Sequence, residues 1–331
     1  MDFNLRCSIA IGPSEIDVCL IRKKGKNSVI ESLAFYEFED EKEINNIIDS
    51  IAENLPKDVL TNVSFKHSSI IEHIYFYKSN SDIRSSLYKD LKRDYEIELK
   101  DYIIDYEENK FEEKNLIYVA AMPRSVLNFY YSILSKHKNI KLYSFETHSV
   151  SLRRVVGNFL GDGYILGCAI FKDYSTISAC KDGKALAFRN LRYSWNELVG
   201  SLAKSGGISK KEAENLLQKK GFETVDEKNQ EEQLIYESIS GVFDQFTIEI
   251  QRTIDYITTV QKIGKIEKIV TIGQINKVNN INKYISRLFS LETVEFKPQK
   301  LIEFGQDIDS SILDNTSYFE ICVGAALREI K

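Results

Sequence analysis

Residues 164–191 read YILGCAIFKDYSTISACKDGKALAFRNL, and the alternation of apolar and polar residues in this stretch decides the fold. It predicts strands over 164–171, 175–181 and 185–191. They are joined by a tight polar turn and by Asp182-Gly183, because a period of two marks a half-buried strand and Asp-Gly marks a hairpin. The same unit stands at the start of the chain. Leu5 to Phe38 gives a strand CSIAIG, a turn GPSE, a strand IDVCLI, a turn KKGKN and a strand SVIESLAFYEF. Two copies of one supersecondary unit, each opening a half of the chain, predict a duplicated α/β fold of two lobes. The first turn of each copy is expected to face the cleft between the lobes.

With 331 residues the chain can build two separate cores. The net charge of −5 argues against nucleic acid as the main partner, since phosphate binding wants a basic face. Lys210-Lys211 is followed by Glu212 and Glu214 and reads as a solvated face. The chain opens with Asp2 and Arg6 instead of a secretory signal. Its longest apolar run, Tyr164 to Phe171, is far below the ~20 residues that span a bilayer. The expectation is a soluble, cytoplasmic protein with no direct membrane insertion.

The five cysteines, Cys7, Cys19, Cys168, Cys180 and Cys322, contain no C-x-x-C and read as reduced core thiols. Cys7 and Cys19 flank one hairpin turn at the spacing with which Cys168 and Cys180 flank the other, so each pair is a candidate for cross-strand neighbours. The histidines (His67, His73, His137, His148) lack metal-ligand spacing. No G-x-S-x-G, Walker A or G-x-G-x-x-G motif occurs. Glu107-Glu108 with Glu112-Glu113 lacks the glycine and ligand spacing of a calcium loop and reads as a solvated loop. No metal, cofactor or catalytic residue is predicted.

Periodicity predicts a helix over 41–55, strands over 59–65 and 72–77, and a helix over 82–95 with Asp82 as N-cap. A strand over 102–106, an acidic loop EENKFEEKN, a strand over 116–122 and a helix from Arg124 to His137 follow. A strand over 141–145 and a helix over 146–160 lead into the second meander. Beyond it come a helix over 195–204 and a capping box from Ser209 to Glu212. The longest helix is predicted over 231–261, with an apolar stripe through Leu234, Ile239, Phe243, Phe246, Ile250, Ile254 and Ile257. A strand over 266–272 runs into Gly273, with helices over 279–288 and 318–330 after it.

This order of elements resembles the actin-like ATPase superfamily, and within it the family of the type IV pilus assembly protein PilM. The resemblance is carried by VAAMPRSVLNFYYSIL (119–134), KLYSFETHSVSLRRVV (141–156), KDGKALAFRNL (181–191), GISKKEAENLLQKKG (207–221), EKIVTIGQ (267–274) and FEICVGAALREI (319–330). It implies a duplicated actin-like (ribonuclease-H-like) two-lobe fold. The first lobe is then 1–160, with a small inserted α/β subdomain at about 66–141. The second is 161–331, with an inserted helical region at about 195–262 and a last helix, 318–330, that packs back toward the first lobe.

In this superfamily nucleotide binds between the lobes. The first turn of each meander cradles phosphate through backbone N–H groups, and an Asp on the preceding strand serves the Mg²⁺ shell. This sequence departs at each such place. The first meander has Ala10-Ile11-Gly12 where the family has Asp-Ile-Gly, and Pro13 follows with no N–H to offer. The second has Ala169-Ile170-Phe171, and Gly273-Gln274 stands where a glycine cluster is usual. Ser14, Asp173, Ser175 and Thr176 remain as polar turn residues, of types that turns favour for local hydrogen bonding. The degenerate cleft implies a pseudo-ATPase.

The resemblance further implies a cytoplasmic scaffold recruited to the cytoplasmic face of the inner membrane. There it would bind the N-terminal tail of a PilN-like membrane protein in a groove of the first lobe, beside other components of the pilus or secretion platform. Candidates for that groove are Tyr75, Phe76 and Tyr77 on a strand and Leu87 and Leu91 on the next helix, each a residue type that also builds cores. The alternative is an active Mg-ATP-binding ATPase or phosphotransferase. A third reading, a filament former similar to the division protein FtsA, normally adds a C-terminal amphipathic helix, whereas this sequence stops at Lys331.

Overall fold

The computed structural model describes residues 4–25, 27–78, 82–111, 114–223, 229–306, 308, 312 and 318–329. In chain order the first elements are β1 (Leu5–Ile11), β2 (Glu15–Lys24), β3 (Asn27–Glu37), α1 (Ile44–Asn54), β4 (Val59–Phe65) and β5 (Ile71–Lys78). Next come α2 (Ile83–Tyr95), β6 (Tyr102–Phe111), β7 (Lys114–Pro123), α3 (Arg124–Ser135), β8 (Ile140–Thr147) and α4 (His148–Leu160). The second meander is β9 (Tyr164–Ile170), β10 (Ser175–Lys181) and β11 (Lys184–Leu191), followed by α5 (Trp195–Gly206), α6 (Lys210–Lys219) and α7 (Gln230–Asp255). The chain continues through β12 (Lys268–Gly273), α8 (Ile281–Phe289), β13 (Glu292–Glu295), β14 (Glu303–Phe304) and α9 (Phe319–Ala326). Among the described residues no helix is long and apolar enough to cross a membrane.

The chain divides into two compact units: Met1–Val155 with Lys184–Leu186 and Gln299–Lys331, and Val156–Gly183 with Ala187–Pro298. Residues 299–331, expected in the second lobe, therefore group with the first unit. The first unit holds a six-stranded sheet in the order β14-β3-β2-β1-β4-β8. One face of it buries Ile9, Ile11, Ile16 and Val18 against Ile44, Ile48 and Ile51 of α1 and Ile133 and Leu134 of α3. The other face carries α9, which packs on β1, β2 and β4. Covered on both faces, β1 reads as a near-continuous apolar run instead of an alternating one.

A three-stranded sheet, β5-β7-β6, and α2 form the inserted subdomain, with a core of its own built from Tyr75, Leu87, Leu91, Ile97, Ile117 and Val119. The acidic segment expected as a loop is largely strand here. Glu107 pairs with Tyr118 and Asn109 with Leu116, so the β6–β7 hairpin extends well beyond Tyr106. An antiparallel ribbon tolerates this because Glu108 and Lys110 point to water while Asn109 is buried. Glu112 and Glu113 lie outside the described residues.

The second unit holds a five-stranded sheet in the order β11-β10-β9-β12-β13, with β12 parallel to β9. Helix α7 buries Ile239, Phe243, Phe246 and Ile250, whereas Leu234 is 64% exposed, so the predicted stripe is not core in its first turn. The helix also leaves α geometry before its expected end. Tyr256–Gln261 is π-wound and stops at Lys262, which takes the left-handed conformation. The cysteine pairs are not cross-strand partners. Cys19 faces Ser8, next to Cys7, and Cys168 faces Ile177, three residues short of Cys180. Strand register is set by the turn and not by equal spacing along the sequence.

Candidate functional site

The two meanders turn in the same way. Pairing of β1 with β2 stops at Ile11–Ile16, and pairing of β9 with β10 stops at Ile170–Ser175, so residues 12–15 and 171–174 are equivalent loops. Each loop is closed by its own bond. The Gly12 N–H donates to the Glu15 carbonyl at 2.9 Å, and the Phe171 N–H donates to the Tyr174 carbonyl at 2.9 Å. The leading N–H of each turn is thus spent internally, and Pro13 has none to give.

An aromatic ring fills the space in front of each turn. In the first unit the Tyr318 ring, itself fully buried, lies so close over Gly12 that any Cβ there would collide with it. In the second unit Phe171 is fully buried, lies tilted against Tyr174 with ring centroids 5.0 Å apart and closes on Gly273. Gly273 has φ +79°, and a Cβ there would stand 2.7 Å from the Ile170 carbonyl and 3.1 Å from the Phe171 ring, so only glycine fits.

Ala10 and Ala169 are fully buried. The polar turn residues are held locally. The Ser175 hydroxyl donates to the Tyr193 carbonyl, and Asp173 accepts from Asn196 Nδ2 at 3.2 Å. The Ser14 carbonyl accepts from the Phe38 N–H, and Gln274 is buried behind Gly273.

A carboxylate that the sequence reading passed over stands directly across from Ala10. The register pairs Ala10 with Asp17, and Asp17 is fully buried beside Glu15 on the same face of β2. Its Oδ2 accepts from the Tyr318 N–H at 2.8 Å, and the Cys322 thiol donates to its carbonyl at 2.9 Å. Burial, then the hydrogen bond and charge of Glu15, push the Asp17 carboxyl well above the ordinary range. The available signal was two acids at i and i+2 at the start of a strand whose middle, Val18 to Ile21, is apolar on both faces.

The other end of α9 is tied down as well. Glu146, nearly buried, takes a bidentate pair from Arg154 at 2.7 and 2.9 Å and a further bond from Arg328 at 2.7 Å. Arg154 also donates to the Gly324 carbonyl, and Arg6 donates to that of Arg328. Burial alone would raise the Glu146 pKa. The Arg154 pair, with the Ser151 and Arg328 bonds, overcomes it and holds the carboxyl below its usual value. Asp17 at the start of α9 and Glu146 at its end together hold Tyr318 over Gly12.

The groove candidates separate by burial. Leu87 and Leu91 are 0% exposed and Tyr75 is 8% exposed, all in the subdomain core, so none of the three lines an open surface. They point inward because the apolar side of α2 is the side that covers the sheet. Phe76 and Tyr77 keep partial exposure. The Tyr77 hydroxyl donates to Asp90 at 2.8 Å and that of Tyr75 to Asp94 at 3.2 Å, while His73, Tyr75 and Tyr77 stack along β5 with ring spacings of 4.3 and 6.1 Å. In its sheet β5 pairs only with β7, which leaves its outer edge open among the described residues.

No protein-family model matches the sequence, and no curated protein sequence does. Solved structures do match. A chain of a PilM–PilN type IV pilus biogenesis complex superposes with a TM-score of 0.74 at 14% identity, covering 97% of this chain and 97% of that one. The fold is the actin-like one. MreB5 of Spiroplasma citri bound to ADP shares it more distantly, with a TM-score of 0.50 at 10% identity over 95% of this chain and 99% of the other. Mg-nucleotide at the meander turns is what the resemblance implies, and the residues present here do not fit that group. Ala10 and Ala169 offer no carboxylate, the leading N–H groups of Gly12 and Phe171 are spent, and the Tyr318 and Phe171 rings close on Gly12 and Gly273.

Proposed function

We propose that this chain is an actin-like scaffold of a type IV pilus or related secretion machine. It holds the cytoplasmic N-terminal tail of an inner-membrane PilN-like partner and hydrolyses no ATP. The observation that carries the reading is the aromatic plug at each turn: Tyr318 over Gly12 in one unit and Phe171 against Gly273 in the other. Retention of the fold after such filling supports a role in holding partners rather than in chemistry. The likeness to a chain of a PilM–PilN complex supports the choice of partner. Recruitment to the cytoplasmic face of the inner membrane, beside other platform components, follows from that partner.

In this reading the tail docks as an added strand on the open edge of β5. Main-chain hydrogen bonds supply affinity there, and Phe76 and Tyr77 supply side-chain contact. The test is fluorescence anisotropy with a labelled synthetic peptide copying the cytoplasmic N-terminal tail of a PilN protein. Saturable binding is expected, weakened about tenfold in a F76S/Y77S variant, a change equal to about 1.4 kcal/mol. Binding that ignores both substitutions would remove the β5 edge as the dock, and no binding would remove the partner.

A further inference from the structure

The second unit carries a surface pocket of about 440 Å³, within the volume range of about 300–1,000 Å³ in which proteins seat ligand groups. Ile254 of α7, Ile266 before β12, and Phe289 and Leu291 at the end of α8 make its lining largely apolar. The π-wound turns after α7 bring Thr258 into the wall, and π-wound turns are frequent at functional sites.

The polar groups of the lining are unequal. Gln251 has committed one of its two amide N–H groups to Asp255 at 2.8 Å, and Thr258 has committed its hydroxyl to the Ile254 carbonyl at 2.8 Å. Lys265 is exposed and, among the described residues, makes no hydrogen bond or ion pair. The charged group of the lining is therefore a cation, on a chain whose net charge is −5. Two exposed apolar residues neighbour the lining along the chain. Ile248, one turn before Gln251 on the same side of α7, is 45% exposed, and Leu288, next to Phe289, is 50% exposed.

We propose that this pocket docks an acidic segment of a partner protein, seating an apolar side chain against Ile254 and Phe289 and a carboxylate on Lys265. A small carboxylate that filled the pocket alone would leave Ile248 and Leu288 in water, whereas a peptide segment covers them. The site lies in the other unit from the β5 edge and stands or falls separately from it. A scaffold with a dock in each unit can hold two partners at once.

The experiment pans phage-displayed random dodecapeptides on the full chain and measures the recovered peptides by fluorescence anisotropy. Lys265 and Leu288 are exposed, so K265E and L288S leave the core intact, which unchanged melting temperatures would verify. Recovered peptides should place Asp or Glu beside a large apolar residue. They should lose at least about tenfold in affinity on K265E and several-fold on L288S, and added salt should weaken the wild type more than K265E. Basic recovered peptides, or affinities indifferent to both substitutions, would overturn the proposal. So would octanoate binding that K265E abolishes while no peptide depends on the pocket, since that identifies a small-carboxylate site.

Discussion

Asp17 shows how one residue couples charge to architecture. Its pKa is raised above the ordinary 3.8, so the native state keeps a proton that the unfolded chain releases, and stability falls as pH rises through that window toward the native value. An Asp17→Asn substitution keeps an acceptor for the Tyr318 N–H and has no charge to bury. The melting temperature of the variant relative to wild type should therefore be higher at pH 8 than at pH 4. A difference constant with pH would refute the buried-acid assignment. Glu146 has the opposite sign: its native pKa lies below the ordinary 4.5, so its contribution is present above that value and is lost on acidification. Glu146→Ala strips Arg154 and Arg328 of their shared partner and should cost about 3 kcal/mol in urea unfolding. A loss under about 1 kcal/mol, the range of an exposed pair, would mean that the network does not anchor α9. Neither residue announces its role in the sequence, because Asp17 reaches α9 through Tyr318 and Glu146 reaches its end through Arg328, each more than a hundred positions away.

Among the elements, α2 and α7 show where periodicity can be trusted. Both helices were legible from their apolar spacing, and α2 also from its cap Asp82, whereas the cap of α7, Asn229, was not singled out. Which apolar positions are buried was not legible, because that depends on what covers them. Leu91 is fully buried under the subdomain sheet, so Leu91→Ala should cost about 2–5 kcal/mol. Leu234 occupies an equally regular stripe yet is 64% exposed, so Leu234→Ser should fall within about 0.5 kcal/mol of wild type. Equal losses in the two variants, measured by chemical denaturation, would contradict these placements. The acidic end of the β6–β7 hairpin, beyond Tyr106, reads as a loop for a related reason. Its charged residues suit either a loop or the wet face of an antiparallel ribbon, and only cross-strand pairing distinguishes the two.

For the whole molecule, the decisive quantity is whether Mg-nucleotide stabilises the native state. A ligand at 100 times its dissociation constant adds about 2.7 kcal/mol, enough for a measurable shift in melting temperature. With both turns plugged, millimolar Mg-ATP should produce no shift. A Mg-dependent rise would mean that Tyr318 and Phe171 move aside and that the turns still serve phosphate. The sequence by itself determined the duplicated meanders, the inserted subdomain and which residues stand at the turns, because strand period, turn chemistry and residue type are local properties. The tertiary structure decided what packs against those turns. Tyr318 reaches Gly12 from the far end of the chain, Asp17 and Glu146 fix the helix that brings it there, and α2 turns its leucines inward. Each of these is a contact between residues remote in sequence, set by packing and burial, on which a local pattern is silent.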